Sequence, residues 1–98
     1  MNDQERPDPT RIPIEDALDL HAFAPPDIPS VVDEYLQAAH QAGFREVRLI
    51  HGRGRGVQRA IVQQVLKRHG LVGDFWDAPE THFGATVVRL RALQPFSI

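Results

Sequence analysis

Glu46-Val47-Arg48-Leu49-Ile50-His51-Gly52-Arg53-Gly54-Arg55-Gly56-Val57 is the stretch on which the reading of the chain turns. Val47 and Leu49 alternate with Arg48, the pattern of a strand with one buried face. The run then enters glycines at alternate positions, which permit positive φ and close backbone approach. Beyond them Val57, Ile61 and Val65 recur at helical spacing. Strand, glycine turn and helix make an α/β junction. The start of such a helix carries unpaired N–H groups and the positive end of its dipole. With Arg53 and Arg55 interleaved, the turn reads as an anion site, for phosphate above all. It is not a Walker loop, because no Gly-Lys-Ser/Thr follows, and the third glycine comes one residue early for the dinucleotide fingerprint. The plainer alternative is a glycine-rich turn with solvated arginines.

Toward the N-terminus, Ala17-Leu18-Asp19-Leu20-His21 alternates in the same way and predicts a first strand, with Asp19 and His21 on one side of it. Pro25 and Pro26 stop that strand, Asp27 is a candidate N-cap, and Val31, Val32, Tyr35, Leu36 and Ala39 predict a helix over 28–42 that Gly43 ends. Toward the C-terminus, the helix opened by Val57 runs to about His69, with Gly70 as its stop. A third strand of undecided facing follows over 71–76, then a loop over 77–83. A fourth strand is expected over 84–93, with Thr86, Val88 and Leu90 on one face and Val87, Arg89 and Arg91 on the other. Residues 1–13, polar and broken by prolines, read as a disordered tail, and 14–98 as the domain.

The order β-α-β-α-β-β predicts a two-layer α/β sandwich: a mixed four-stranded sheet with both helices on one face, since right-handed crossovers place them together. The other face is then open, and Asp19, His21, Arg48, Arg89 and Arg91 are expected on it. Parallel pairing of the first two strands puts His21 and the His51 turn at one C-terminal rim, where open α/β sheets bind ligands. The loop before the last strand brings His82 toward the same rim.

With 98 residues the chain is one domain, too short for a full dinucleotide-binding fold. It has no cysteine, which removes thiol chemistry, disulfides and Cys-based zinc sites. Neither a signal peptide nor an 18-residue apolar run is present, so a soluble, cytoplasmic protein without membrane contact is expected. The net charge of −2 conceals an uneven distribution: Arg45, Arg48, Arg53, Arg55, Arg59, Lys67 and Arg68 face only Glu46 within 45–68. A basic patch of that kind draws in polyanions. His40 and His69 read as surface or helix-end histidines.

Leu18-Asp19-Leu20-His21, His51-Gly52-Arg53-Gly54 and Gly84-Ala85-Thr86-Val87-Val88-Arg89-Leu90 resemble, in order and spacing, the three signatures of the Smr (small MutS-related) domain family. The resemblance covers about residues 17–93. It implies a fold similar to the C-terminal domain of translation initiation factor three, nucleic-acid binding and, in several members, endonuclease activity, with this chain similar to the stand-alone members. The family positions carried over are Asp19 and His21 for the first motif, and His51, Gly52 and Gly54 for the second. Two positions depart from the family pattern: Ala22 stands where a glycine often follows the motif histidine, and Thr81-His82 where a glycine pair often precedes the last strand.

The same residues suit phosphodiester cleavage. His21 is a candidate general acid or base oriented by Asp19, and His51 either protonates a leaving group or hydrogen-bonds the loop. Gly52, Arg53, Gly54 and Arg55 are expected to hold phosphate, with Arg48, Arg89 and His82 as further nucleic-acid contacts. Attack by an RNA 2′-hydroxyl needs no metal, whereas a single carboxylate is a poor Mg²⁺ cage, so RNA is favoured over DNA and no cofactor is required, though Mg²⁺ is permitted. Expected partners are RNA or DNA and, beyond them, a ribosome or repair-type assembly. Two rival readings stay open: a binding module that does not cleave, and a protein-interaction adaptor.

Overall fold

A computed structural model describes residues 14–54, 56–81 and 84–92. Its elements are β1 (Ala17–Asp19), α1 (Ile28–Gln41), β2 (Glu46–Ile50), α2 (Val57–Arg68), β3 (Val72–Asp77) and β4 (Ala85–Leu90), with 3₁₀ turns at Pro25–Asp27 and Pro79–Thr81. The expected tail over 1–13 and Leu93 lie outside the described residues, while the fourth strand, expected over 84–93, spans only Ala85–Leu90. Among the described residues no helix is long and apolar enough to cross a membrane.

The sheet order is β1-β2-β4-β3. β1 runs parallel to β2, with Asp19 opposite Ile50, and β4 pairs antiparallel with β2 on one side and β3 on the other. The sheet is therefore mixed, as the element order predicts. Leu18, Leu20, Val47, Leu49, Val88 and Leu90 pack with Ile28, Val32, Leu36 and Ala39 of α1 and Val62 and Leu66 of α2 in one hydrophobic cluster, so both helices cover the same face. Burying this set supplies the main driving force for the fold.

Three local outcomes differ from the sequence reading. β1 ends at Asp19, two residues early, because the Asp19 carboxylate accepts the His21 N–H at 2.9 Å and turns the chain, while Leu20 N–H still donates to the Ile50 carbonyl at 2.8 Å. Asp27 is not a side-chain cap; it closes a 3₁₀ turn that feeds directly into α1. β3 is displaced by one residue, with a register shift between Val72 and Asp74, and this settles its facing: Phe75 packs on the core cluster, while Trp76 stands opposite Val87.

The face away from the helices is not bare. Ala78, Ala85 and Val87 are buried there with Ile50 and Trp76 packed against them, a second small apolar cluster. The 3₁₀ turn at Pro79–Thr81 is tied to it by an Ala78 N–H bond to the Ala85 carbonyl at 2.9 Å and by an ion pair between Glu80 and Arg48.

Candidate functional site

The parallel pairing of β1 and β2 places the residue after β1 beside the turn after β2. His21 therefore meets the glycine turn. Its Nδ1 lies 2.6 Å from Asp19 Oδ1, the same oxygen that accepts the His21 backbone N–H. A carboxylate only accepts, so Nδ1 carries the proton and, in the neutral ring, Nε2 is left with the lone pair. These two hydrogen bonds, the backbone one foremost, hold the Asp19 carboxyl below its ordinary range. The pair is open to solvent, with the His21 side chain 60% exposed.

Nε2 is directed at Gly52. A Cβ placed on that glycine would stand 2.7 Å from Nε2, and the residue has φ +83. Two independent demands, the left-handed backbone and the approach of the imidazole, thus disfavour a side chain at 52. The turn is anchored from below: the Gly84 carbonyl accepts the N–H of His51 at 3.1 Å and of Gly52 at 2.9 Å. The expectation that Gly52 holds phosphate through its backbone is corrected accordingly, because its N–H is already engaged. Its contribution is the space it leaves.

His51 is turned inward and only 4% exposed. Its Nδ1 donates to the Gly52 carbonyl at 3.0 Å, which requires the proton on that nitrogen, and Nε2 accepts from the Thr86 hydroxyl at 2.9 Å. Burial pushes the imidazole below its ordinary pKa. Of the two roles open to His51, the geometry fits the hydrogen-bonding of the loop and gives no access to a leaving group.

Arg53 is exposed at the turn, its stem close to Gly84. Gly54 has φ +26 and Gly56, at the start of α2, has φ +78, with nothing near either to obstruct a side chain. Arg55 and His82 lie outside the described residues, as does Phe83. Thr81 closes the turn before β4: its hydroxyl donates to the Ala78 carbonyl at 2.7 Å and accepts the N–H of Gly84 and of Ala85, both at 3.1 Å.

The open face carries Asp19, Arg48 and Arg89 as expected, but its arginines are paired. Arg48 binds Glu80, and Arg89 lies 3.5 Å from Glu46 while its guanidinium sits 5.1 Å from the centroid of the Trp76 ring. They face acids rather than forming an uncompensated cationic surface. Of the two readings of His69, surface or helix-end, the second holds: it is the C-cap residue of α2 and nearly buried, donating from Nε2 to Asp33 at 2.8 Å and accepting the Leu71 N–H at Nδ1. His40 donates to the Arg91 carbonyl at 3.0 Å.

One group near the rim was missed from sequence. Arg59 clasps Asp77 through Nε and Nη2, at 2.8 and 2.6 Å, and Gln63 adds a bond to the same carboxylate at 3.1 Å. The Arg59 bonds hold the Asp77 carboxyl below its ordinary range. The available signal was the spacing of Arg59 and Gln63, four residues apart on one helical face that must lie over the end of β3. Among the described residues, no three His, Asp or Glu side chains converge as a metal-holding cluster.

The Smr domain family model matches residues 18–91. The chain belongs to the Smr domain family. The Smr domain of Thermus thermophilus MutS2 superposes on it with a TM-score of 0.75 at 34% identity, covering 79% of this chain and 99% of that one. YdaL, a stand-alone small MutS-related protein from Escherichia coli, does so with a TM-score of 0.71 at 28% identity, over 78% of this chain and 64% of YdaL. In sequence, endonuclease MutS2 of Caldicellulosiruptor saccharolyticus is 40% identical over 77 residues, 76% of this chain and 10% of that protein. Endonuclease MutS2 of Clostridium tetani is 35% identical over 80 residues, 80% of this chain and 10% of that protein. The chain thus spans about a tenth of the length of the curated relatives it matches. In this Smr domain the first motif supplies the Asp19–His21 pair and the second the turn that receives it.

Proposed function

We propose that this Smr domain binds nucleic acid and cleaves phosphodiester bonds, RNA in preference to DNA, with His21 as general base and Asp19 as the group that orients it. The observation that carries the reading is the directed imidazole: Asp19 fixes Nδ1 at 2.6 Å and leaves Nε2 against the side-chain-free surface of Gly52. A base held in one tautomer and one orientation, beside a turn with an exposed arginine, is what proton abstraction next to a bound phosphate needs. Kinship to the MutS2 endonucleases supports the nuclease class.

In the proposed reaction Nε2 takes the proton of an RNA 2′-hydroxyl, the 2′-oxygen attacks phosphorus, and the bond to the 5′-oxygen breaks. The departing oxygen takes a proton from solvent, giving a 2′,3′-cyclic phosphate and a 5′-hydroxyl. Arg53, with Arg55 of the same turn, balances charge on the phosphoryl oxygens. The preference for this route over water attack on DNA rests on the donor set: the one carboxylate at the centre already serves His21, which suits it poorly to caging Mg²⁺, although the ion remains compatible with the site. The N–H groups of His51 and Gly52 do not take part. In the cytoplasm, RNA held by a ribosome or by a repair-type assembly would present such bonds.

The test is incubation with end-labelled single- and double-stranded RNA and DNA, with and without chelator. Chelator-insensitive cleavage leaving a 5′-hydroxyl is expected; strict Mg²⁺ dependence with a 5′-phosphate overturns the mechanism. Asp19→Ala and His21→Ala should lose cleavage while retaining affinity, and Arg53→Ala should lower the salt slope of binding by about one phosphate contact. Binding without cleavage in the wild type would assign a binding module, and no affinity for naked nucleic acid an adaptor.

A further inference from the structure

Beside the His21 rim the surface carries two large apolar side chains that the core does not use. Phe23 is 37% exposed and Val57, the first residue of α2, is 53% exposed; neither belongs to either hydrophobic cluster. Scattered exposed apolar residues are ordinary. Phe23 differs in how its backbone is held. Its N–H donates to the Leu20 carbonyl at 3.1 Å, and its carbonyl accepts from Gln58 Nε2 at 3.0 Å. Residue 23 is thus fastened on one side to the end of β1 and on the other to the second residue of α2, next to Val57. The ring stands on a fixed backbone, two residues beyond the imidazole. That spacing keeps the two Cα atoms within about 7 Å, the scale of one nucleotide.

We propose that Phe23 is a shelf for one unpaired nucleobase adjoining the phosphate that His21 addresses, so that this Smr domain selects single-stranded or looped substrate. The inference rests on the function proposed above and deepens it. An aromatic ring accepts any base by its π face, and a base in a duplex is already stacked on its neighbours and cannot reach such a shelf. Arg53 on the adjoining turn provides a cation for the connecting phosphate, which a purely apolar protein contact would leave unused.

The test is fluorescence anisotropy with a dye-labelled single-stranded oligodeoxynucleotide, which lacks the 2′-hydroxyl and survives, and with a blunt duplex of the same sequence. Phe23→Ala should weaken single-strand binding about 5- to 150-fold, the range for losing one stacked base, while duplex binding stays within about twofold. Phe23→Trp should restore it, and an unchanged thermal melt shows that the variants are folded. Single-strand affinity unmoved by Phe23→Ala, or an equal loss for both ligands, overturns the shelf and leaves the proposed function standing. Absence of wild-type binding to either ligand overturns the shelf, and the RNA cleavage assay then decides the proposed function by itself. Concentration-dependent sedimentation abolished by Phe23→Ala, with unchanged nucleic-acid affinity, would give the surface to a second copy of the chain and overturn the inference.

Discussion

Replacing Gly52 with alanine tests the site geometry most directly, because it perturbs His21 without touching it. An L-residue at φ +83 bears a left-handed strain of about 1–2 kcal/mol. For a domain of this size that lowers the melting temperature by roughly 4–16 °C. The new Cβ would lie 2.7 Å from His21 Nε2, whereas ordinary contact begins at 3.4 Å, so the ring must retreat by about 0.7 Å (3.4 minus 2.7). His21 is exposed and can retreat cheaply in stability, but only by leaving its place against the turn. A displacement approaching 1 Å costs on the order of 10²-fold in rate. Gly56→Ala is the matched control: its φ is +78, so the strain is similar, yet nothing lies within 4 Å of its Cβ. Melting curves and single-turnover cleavage of labelled RNA, with imidazole signals followed by NMR, separate the two effects. The expected result is similar destabilisation in both variants, with the large loss of rate and a perturbed His21 signal only in Gly52→Ala. Equal rates in the two variants would refute the argument from the imidazole contact.

Three further outcomes are expected. Asp19→Asn keeps an oxygen that can accept from His21 but removes the charge; cleavage should fall on the order of 10²-fold in a single-turnover assay while the melt is nearly unchanged. His51 has its pKa lowered by burial, so the unfolded chain takes up the proton first as pH falls; its contribution to stability is complete above the ordinary value near 6.5 and is lost below it. Melts between pH 8 and 5 should therefore show the advantage of wild type over His51→Gln shrinking on the acid side, and a constant difference would contradict the buried neutral ring. Arg59→Lys loses the two-pronged grip on Asp77 and, because the pair is partly solvated, should cost only about 0.5–1 kcal/mol in a urea titration, less in high salt.

Residues whose patterning is local were legible in advance. Val47 and Leu49 against Arg48, and the helical spacing of Val32, Leu36 and Ala39 and of Val57, Ile61 and Val65, decided the elements, although α2 buries Val62 and Leu66 and leaves Val57 exposed; handedness then placed both helices on one face. The meeting of His21 with the glycine turn followed from parallel pairing alone. What escaped depends on contacts between segments distant in sequence. Whether His51 points outward or toward Thr86 is set by a hydroxyl 35 residues away. The pairing of Arg48 with Glu80 depends on how the 3₁₀ turn folds back, and Val87, which alternation alone assigns to solvent, is buried in a cluster with Ala78, Ile50 and Trp76. Asp77 looked like a loop residue until β3 ran one position further and brought it under Arg59.

Among the described residues, the last strand in chain order is an interior strand of the sheet. β4 is hydrogen-bonded to β2 and to β3, which do not pair with each other. Until residues 85–90 arrive, the preceding chain has the β1–β2 pair and a lone β3, each with an unsatisfied edge, and its hydrophobic interior lacks Val88 and Leu90. Assembly of the sheet during synthesis must therefore wait for residues 85–90, and a chain cut before residue 85 leaves β3 without a partner and β2 with an open edge. The same segment delivers the Gly84 carbonyl that pins the glycine turn, so the turn reaches its working shape only when the whole domain closes.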